Sequence, residues 1–285
     1  MNKIMSKFCL LAILCISLTL PCHSQELSFW ADVMINADAP DNRALAADRF
    51  AEHFAQSLED ESSFYDSYTE LPWISTQYAP DSTFRIFSWQ VEKENQTYSY
   101  AGILQHANGS TVPFRDAEGA LPGKNDAVTW ENWSGGLIYL IIPCGDYYTL
   151  FTYRQIDQYS KRKTCEALYF EDGSPKLGKA VFQDPEESSR YEKRLILNYS
   201  ADAIASLNYL PEMQRITYDN LITVMGRIPG QGPTQVSDGS YRGFEYSDGK
   251  WQGIDKLFNQ VLSEPPRENA VDKSKDLFGR SRSKE

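Results

Sequence analysis

Two periodicities divide the chain. Between residues 27 and 58 apolar residues recur at three- and four-residue spacing. Ala47, Phe50, Ala51, Phe54, Ala55 and Leu58 fall on one face of a helix, and Pro40-Asp41-Asn42 supplies start signals for it. From about Phe64 the pattern changes to short runs rich in β-branched and aromatic residues. These are 84–91, 97–105, 136–142, 147–153, 163–170, 177–182, 193–199, 203–209, 215–218, 221–225, 241–246 and 250–254. Most connections are short and polar, with no long helical stretch between runs, which predicts antiparallel meanders rather than βαβ units. The expected fold is mainly β, an antiparallel meander forming a sandwich or barrel, with a propeller-like ring as the alternative and α-helices at the N-terminus.

Turn chemistry sharpens one element. In Phe244 to Gln252 the pair Asp248-Gly249 suits a two-residue type I′ turn, whose central residues both need positive φ. That register sets Ser247 opposite Lys250 and Tyr246 opposite Trp251. Asp172-Gly173 and Asp238-Gly239 are further turn signals. Residues 226–239 read as one long irregular loop, the kind of segment that often carries function. Lys161-Arg162-Lys163 reads as a solvated hairpin tip.

The first residues read as a secretory signal. Lys3 and Lys7 precede thirteen uncharged, mostly apolar residues, 8–20, too few to cross a bilayer. Pro21 ends the run, and Cys22-His23-Ser24 offers cleavage before Gln25. The expectation is export through the Sec pathway to the periplasm or cell exterior. The domain plan is then a signal peptide at 1–24, a helical segment at 25–62 packed on the main domain, an antiparallel β domain at 63–263, and a disordered, charged tail at 264–285. No later segment is apolar for long enough to span a membrane; the longest, 137–142, stops at Pro143.

Charge narrows the partners. Without Lys3 and Lys7, 26 of the 28 basic residues face 39 acidic ones, a net charge of -13. Such a surface repels polyanions, which argues against nucleic acid as a partner. Three of the five cysteines lie within 1–24. Cys144 and Cys165 remain, either to pair across a loop of about 20 residues or to stand as separate buried thiols.

The runs Phe84-Arg-Ile-Phe-Ser-Trp, Tyr98-Ser-Tyr-Ala-Gly-Ile-Leu-Gln, Tyr147-Tyr-Thr-Leu, Asp172-Gly-Ser-Pro-Lys-Leu-Gly and Leu197-Asn-Tyr-Ser-Ala resemble an uncharacterised family of secreted, β-rich proteins of Bacteroidota. The resemblance covers roughly residues 80–260. It implies an exported β-rich protein with no assigned activity, and it transfers no catalytic residues. The chain departs from the family at 151–158, which stands where related sequences tend to have a Gly-Trp-Asp-Gly turn.

Signatures of chemistry are sparse. Beyond His23 the chain has only His53 and His106, and no Gly-x-Ser-x-Gly nominates a serine for a triad. The sequence has neither His-Glu-x-x-His, Cys-x-x-Cys nor an EF-hand loop, and Gly230-Gln-Gly-Pro lacks the Lys-Ser/Thr of a phosphate loop. No cofactor is implied. Asp219, Asp238 and Glu245 fall in or near loops where a carboxylate pair for glycoside hydrolysis would have to converge. Trp130 and Trp133, in a polar stretch, either stack on a ligand or plug the end of a β core. The preferred reading is a noncatalytic envelope or periplasmic module that binds a protein or glycan, with Trp130, Trp133, Asp219 and Glu245 as candidate ligand contacts. The alternative is a carboxylate-dependent hydrolase acting on saccharides.

Overall fold

The computed structural model describes residues 20–94, 96–117 and 121–254. The signal-peptide expectation thus falls mostly outside the described residues, and the expected tail does so entirely. Residues 20–24 form the start of α1 (Leu20–Asn36), which is followed by α2 (Pro40–Ser57). The break between them follows from sequence. Pro40 cannot donate to a preceding turn but suits a first helical position, and Asp41 complements the positive end of the new helix.

Among the described residues fifteen strands follow in chain order. They are β1 (Ser75–Tyr78), β2 (Phe84–Glu92), β3 (Tyr98–His106), β4 (Thr111–Arg115), β5 (Leu137–Cys144), β6 (Tyr147–Gln155), β7 (Ser160–Glu171) and β8 (Ser174–Leu177). Then come β9 (Phe182–Gln183), β10 (Tyr191–Glu192), β11 (Arg194–Ser200), β12 (Leu207–Leu210), β13 (Arg215–Met225), β14 (Pro233–Ser247) and β15 (Lys250–Ile254). They make three open sheets, ordered β1-β2-β3-β4, β11-β7-β6-β5 with β8 beside β7, and β10-β9-β15-β14-β13-β12. Among the described residues the strands pair antiparallel except at the short β15–β9 contact, and an isolated parallel bridge joins Asp116 to Trp133. The protein is mainly β, as its alternation predicts, and among the described residues no sheet closes into a barrel.

The layers stack in the order helices, first sheet, second sheet, third sheet, and strand alternation explains why. On β2, Phe84 and Ile86 point toward the second sheet, while Phe87, Trp89 and Val91 point toward the helices. On β6, Leu150 joins the core shared with the first sheet, and Tyr147 and Phe151 join the core shared with the third. A strand buried on both faces reads as a nearly continuous apolar run, which is what 84–91 and 147–153 show. Phe50 and Phe54 of α2, with Leu58 just past its end, are fully buried against Phe87 and Trp89, with the Phe54 and Phe87 rings 4.7 Å apart. Polar stitches fix the layers. Ser88 Oγ accepts the Ile138 N–H at 2.9 Å, and Trp251 Nε1 donates to Thr149 Oγ1 at 3.0 Å.

Two buried cations organise the loops. The Arg85 guanidinium lies over the Phe87 ring at 4.5 Å, and donates to Gln105 Oε1 and to the carbonyls of Asp66 and Ser63. It thereby ties the 61–66 segment to the first sheet. Arg194 meets Glu166 at 2.8 Å with both side chains wholly buried. Arg194 also donates to the Asp126 carbonyl at 2.9 Å, which holds the 121–135 connection over the second sheet.

The Phe244–Gln252 hairpin has the expected register, Ser247 opposite Lys250 and Tyr246 opposite Trp251, with φ of 52° at Asp248 and 76° at Gly249. Elsewhere the structure differs from the pattern. The run 177–182 breaks because β7–β8 ends at Leu177, and the chain then turns at Gly178 with φ 83°. Only the first half of 226–239 is loop, since β14 begins at Pro233. Asp238-Gly239 makes a bulge within it, with Asp238 Oδ1 accepting the Ser240 N–H. Residues 161–163 are not a solvated tip but part of β7, where alternation turns Arg162 toward Asn198 Oδ1 at 2.7 Å and the Pro122 carbonyl at 2.9 Å. Strands β1, β4 and the two-residue β10 have no counterpart among the predicted runs.

Candidate functional site

The helix layer covers the first sheet only in part. Along one side of α2 the chain carries Ala44, Ala47 and Ala51 beside Asp48, spacing that puts them on one stripe. Small side chains there leave a groove of about 770 Å³ between α2, the ends of β2 and β3, and residues 115–117. A second depression of about 450 Å³ adjoins it and shares Asp48, Ala51, Trp89, Ala101 and Arg115. Each falls within the range of small-ligand sites.

The groove's inner end is an ion pair held by both sheets. Arg154, at the end of β6, donates from Nη1 to Asp116 Oδ1 at 3.0 Å and from Nη2 to Oδ2 at 3.1 Å. Nη1 also donates to the Ser134 carbonyl. The guanidinium sits 4.8 Å from the centre of the Tyr100 ring. Tyr100 Oη in turn accepts the Gln155 N–H at 2.8 Å, and burial pushes the phenol well above its ordinary range, so it stays neutral. Space for the pair depends on Gly135. Its φ is 69°, and a Cβ there would lie 2.5 Å from Asp116 Oδ1 and 2.6 Å from Arg154 Nη1.

The rim is more acidic and more exposed. Glu92 faces Tyr98 across the β2–β3 ladder, and burial together with the Glu92 carboxylate raises the Tyr98 phenol. Arg43 fastens this corner by donating to the carbonyls of Glu92 at 2.8 Å and Ala37 at 2.6 Å. Across the middle of the groove Arg115 reaches Asp48 at 3.5 Å. The two side chains are 70% and 69% exposed, so the bridge is screened by solvent and worth at most ~1 kcal/mol.

The residues nominated from sequence lie elsewhere. Trp133 is fully buried and donates to Glu166 Oε1 at 3.2 Å; Trp130 is buried and donates to the Pro175 carbonyl at 2.8 Å. Both indoles are core side chains that plug the first-to-second-sheet interface, and neither offers a face for stacking on a ligand. Asp219 is buried and accepts the Ser206 N–H at 2.9 Å. Glu245 faces Arg215 at 3.5 Å. Asp219 stands opposite Tyr241 and Glu245 opposite Arg215, a spacing along the ladder of about 13 Å, so the two carboxylates do not converge. Glycosidase pairs stand about 5 to 9.5 Å apart. Asp238 is engaged by Asn220 and Ser240 in the bulge.

Cys144 and Cys165 are free buried thiols rather than a disulfide. Burial pushes Cys144 up to about 11 and Cys165 well above the ordinary thiol range, which keeps both protonated and unreactive. His53 approaches Glu26 at 3.4 Å between the helices. His106 packs on Phe170 at 5.5 Å between ring centres, and burial lowers its pKa. Among the described residues no group of three or more His, Cys, Asp or Glu is placed to hold a metal ion. No described helix is long and apolar enough to cross a membrane.

Sequence reasoning missed Arg154, Asp116, Arg115 and Asp48. One local signal was available: a lone arginine ends the otherwise uncharged run of β6. No family model, curated protein or solved structure matches the chain.

Proposed function

We propose that the protein is a noncatalytic binding module, exported to the periplasm or cell exterior, that takes a protein segment or glycan in the groove beside α2. The observation that carries this reading is the preformed groove of about 770 Å³, with Tyr98 at its rim and Arg154 fixed by Asp116 at its inner end. A preformed groove with oriented polar groups recognises a ligand without reorganising, which keeps the entropic cost of binding low. The leader-like N-terminus and the resemblance to secreted Bacteroidota proteins support export, and the acidic surface disfavours nucleic acid.

The test is a screen of the protein against glycan and peptide arrays, repeated with Ala44→Trp. Ala44 is exposed on α2 and lines the groove, so an indole there fills it without disturbing the core. Hits should disappear in the variant while its circular dichroism is unchanged. Hits that persist at full strength place the binding surface elsewhere and refute the reading.

A further inference from the structure

Resting on that reading, we propose that the groove selects a cationic ligand, a lysine- or arginine-bearing peptide segment. Its lining carries five carboxylates, Asp41, Asp48, Glu92, Glu94 and Asp116, against three cations, Lys93, Arg115 and Arg154. Asp116 and Arg154 neutralise each other at the inner end, so the excess negative charge lies at the rim. Arg43, just behind the wall, reduces that excess but spends its donors on backbone carbonyls.

The groove's own cations display the chemistry it accepts. Arg154 shows a guanidinium held over a tyrosine ring and gripped by a carboxylate. Arg115 shows a second cation laid across the opening onto Asp48, in a contact weak enough for an incoming cation to displace. A ligand ammonium or guanidinium that replaces Arg115 on Asp48 gains a carboxylate partner. Its neighbouring positive groups meet Glu92 and the Tyr98 ring, where cation–π attraction adds to the charge pairing. An acidic segment meets repulsion at the same rim.

Calorimetric titration of the purified protein with three C-terminally amidated peptides, trilysine, trialanine and triglutamate, tests this. Trilysine amide should saturate one site, weaken as salt rises from 50 to 300 mM, and weaken about tenfold in Asp48→Asn and in Glu92→Gln. Glu171→Gln and Glu212→Gln, exposed carboxylates away from the groove, should leave it unchanged. The cation assignment is overturned if trilysine gives no binding, if trialanine or triglutamate binds as tightly, or if the distant variants weaken trilysine as much as Asp48→Asn. If a neutral peptide binds and Ala44→Trp abolishes it, the groove stands and only the cation assignment falls. If trilysine binding survives Ala44→Trp, both fall.

Discussion

Replacing Glu166 by glutamine should destabilise the fold far more than its near-identical shape suggests. The Glu166 carboxylate has no exposed surface and receives two donors, Arg194 Nε at 2.8 Å on one oxygen and Trp133 Nε1 at 3.2 Å on the other. An amide offers one acceptor and one N–H₂, so either the indole or the guanidinium then faces a donor. Arg194 would also become a buried cation with no counter-charge. Breaking such a pair costs about 3–5 kcal/mol. With an m-value of ~2 kcal/mol/M in urea, the unfolding midpoint should fall by about 1.5–2.5 M, followed by far-ultraviolet circular dichroism. Arg194→Met should cost a similar amount. The double variant Glu166→Met/Arg194→Met removes both charges and leaves the buried Trp133 N–H without a partner, at about 1–3 kcal/mol, while the Asp126 and Gly123 carbonyls that Arg194 held are only part-buried, so its loss should fall well short of the sum. A midpoint shift below about 0.5 M for Glu166→Gln, or strictly additive losses, would refute the claim that this pair is dry and mutually dependent.

Two more outcomes follow from the core. Gly102→Ala places a Cβ 2.3 Å from the Phe87 carbonyl oxygen and from Phe114 Cζ, and backbone cannot yield as a flexible side chain does. The loss should reach or exceed the upper end of the ~1–3 kcal/mol usual for overpacking, read as a urea midpoint, and a near-neutral result would show that Phe114 does not lie over Gly102. Burial raises the Cys144 and Cys165 thiols and several phenols, Tyr199 and Tyr218 to about 12 among them. The unfolded chain therefore releases those protons first, so stability should hold from about pH 7 to 8.5 and fall as pH rises through 9 to 12; a flat urea midpoint to pH 11 would contradict this.

What the sequence made legible was local. Asp248-Gly249 set its hairpin register because positive φ at two adjacent positions is a property of the turn itself. The apolar runs that became β2 and β6 were visible because each strand is covered on both faces. Strand β4 was missed because Pro113 cannot donate to a ladder, yet β4 is the last strand of its sheet, where one side of the backbone needs no partner. The tryptophans misled for a different reason. Thr129, Glu131 and Asn132 around them are exposed and polar, while the indole partners, Pro175 and Glu166, lie 45 and 33 residues away. Nothing within the segment announces such partners.

The groove was illegible for the same reason, and its position follows from the layering. In a stack of four layers every inner face is covered, so polar groups can line a cavity only where one layer stops short of the next. The alanine stripe of α2 makes that gap above the first sheet, and Arg154 reaches it from the second sheet, over the Tyr100 ring. A cation rooted that deeply must be paired, which is why Asp116 and the space afforded by Gly135 come with it. The rim bears no such constraint. Asp48 and Arg115 are mostly exposed, and changing either should cost the fold less than ~1 kcal/mol. Inner pair and rim therefore divide the work: substitutions at Arg154 or Asp116 should register first as lost stability, and substitutions at Asp48 or Glu92 as altered ligand preference in a protein that still folds.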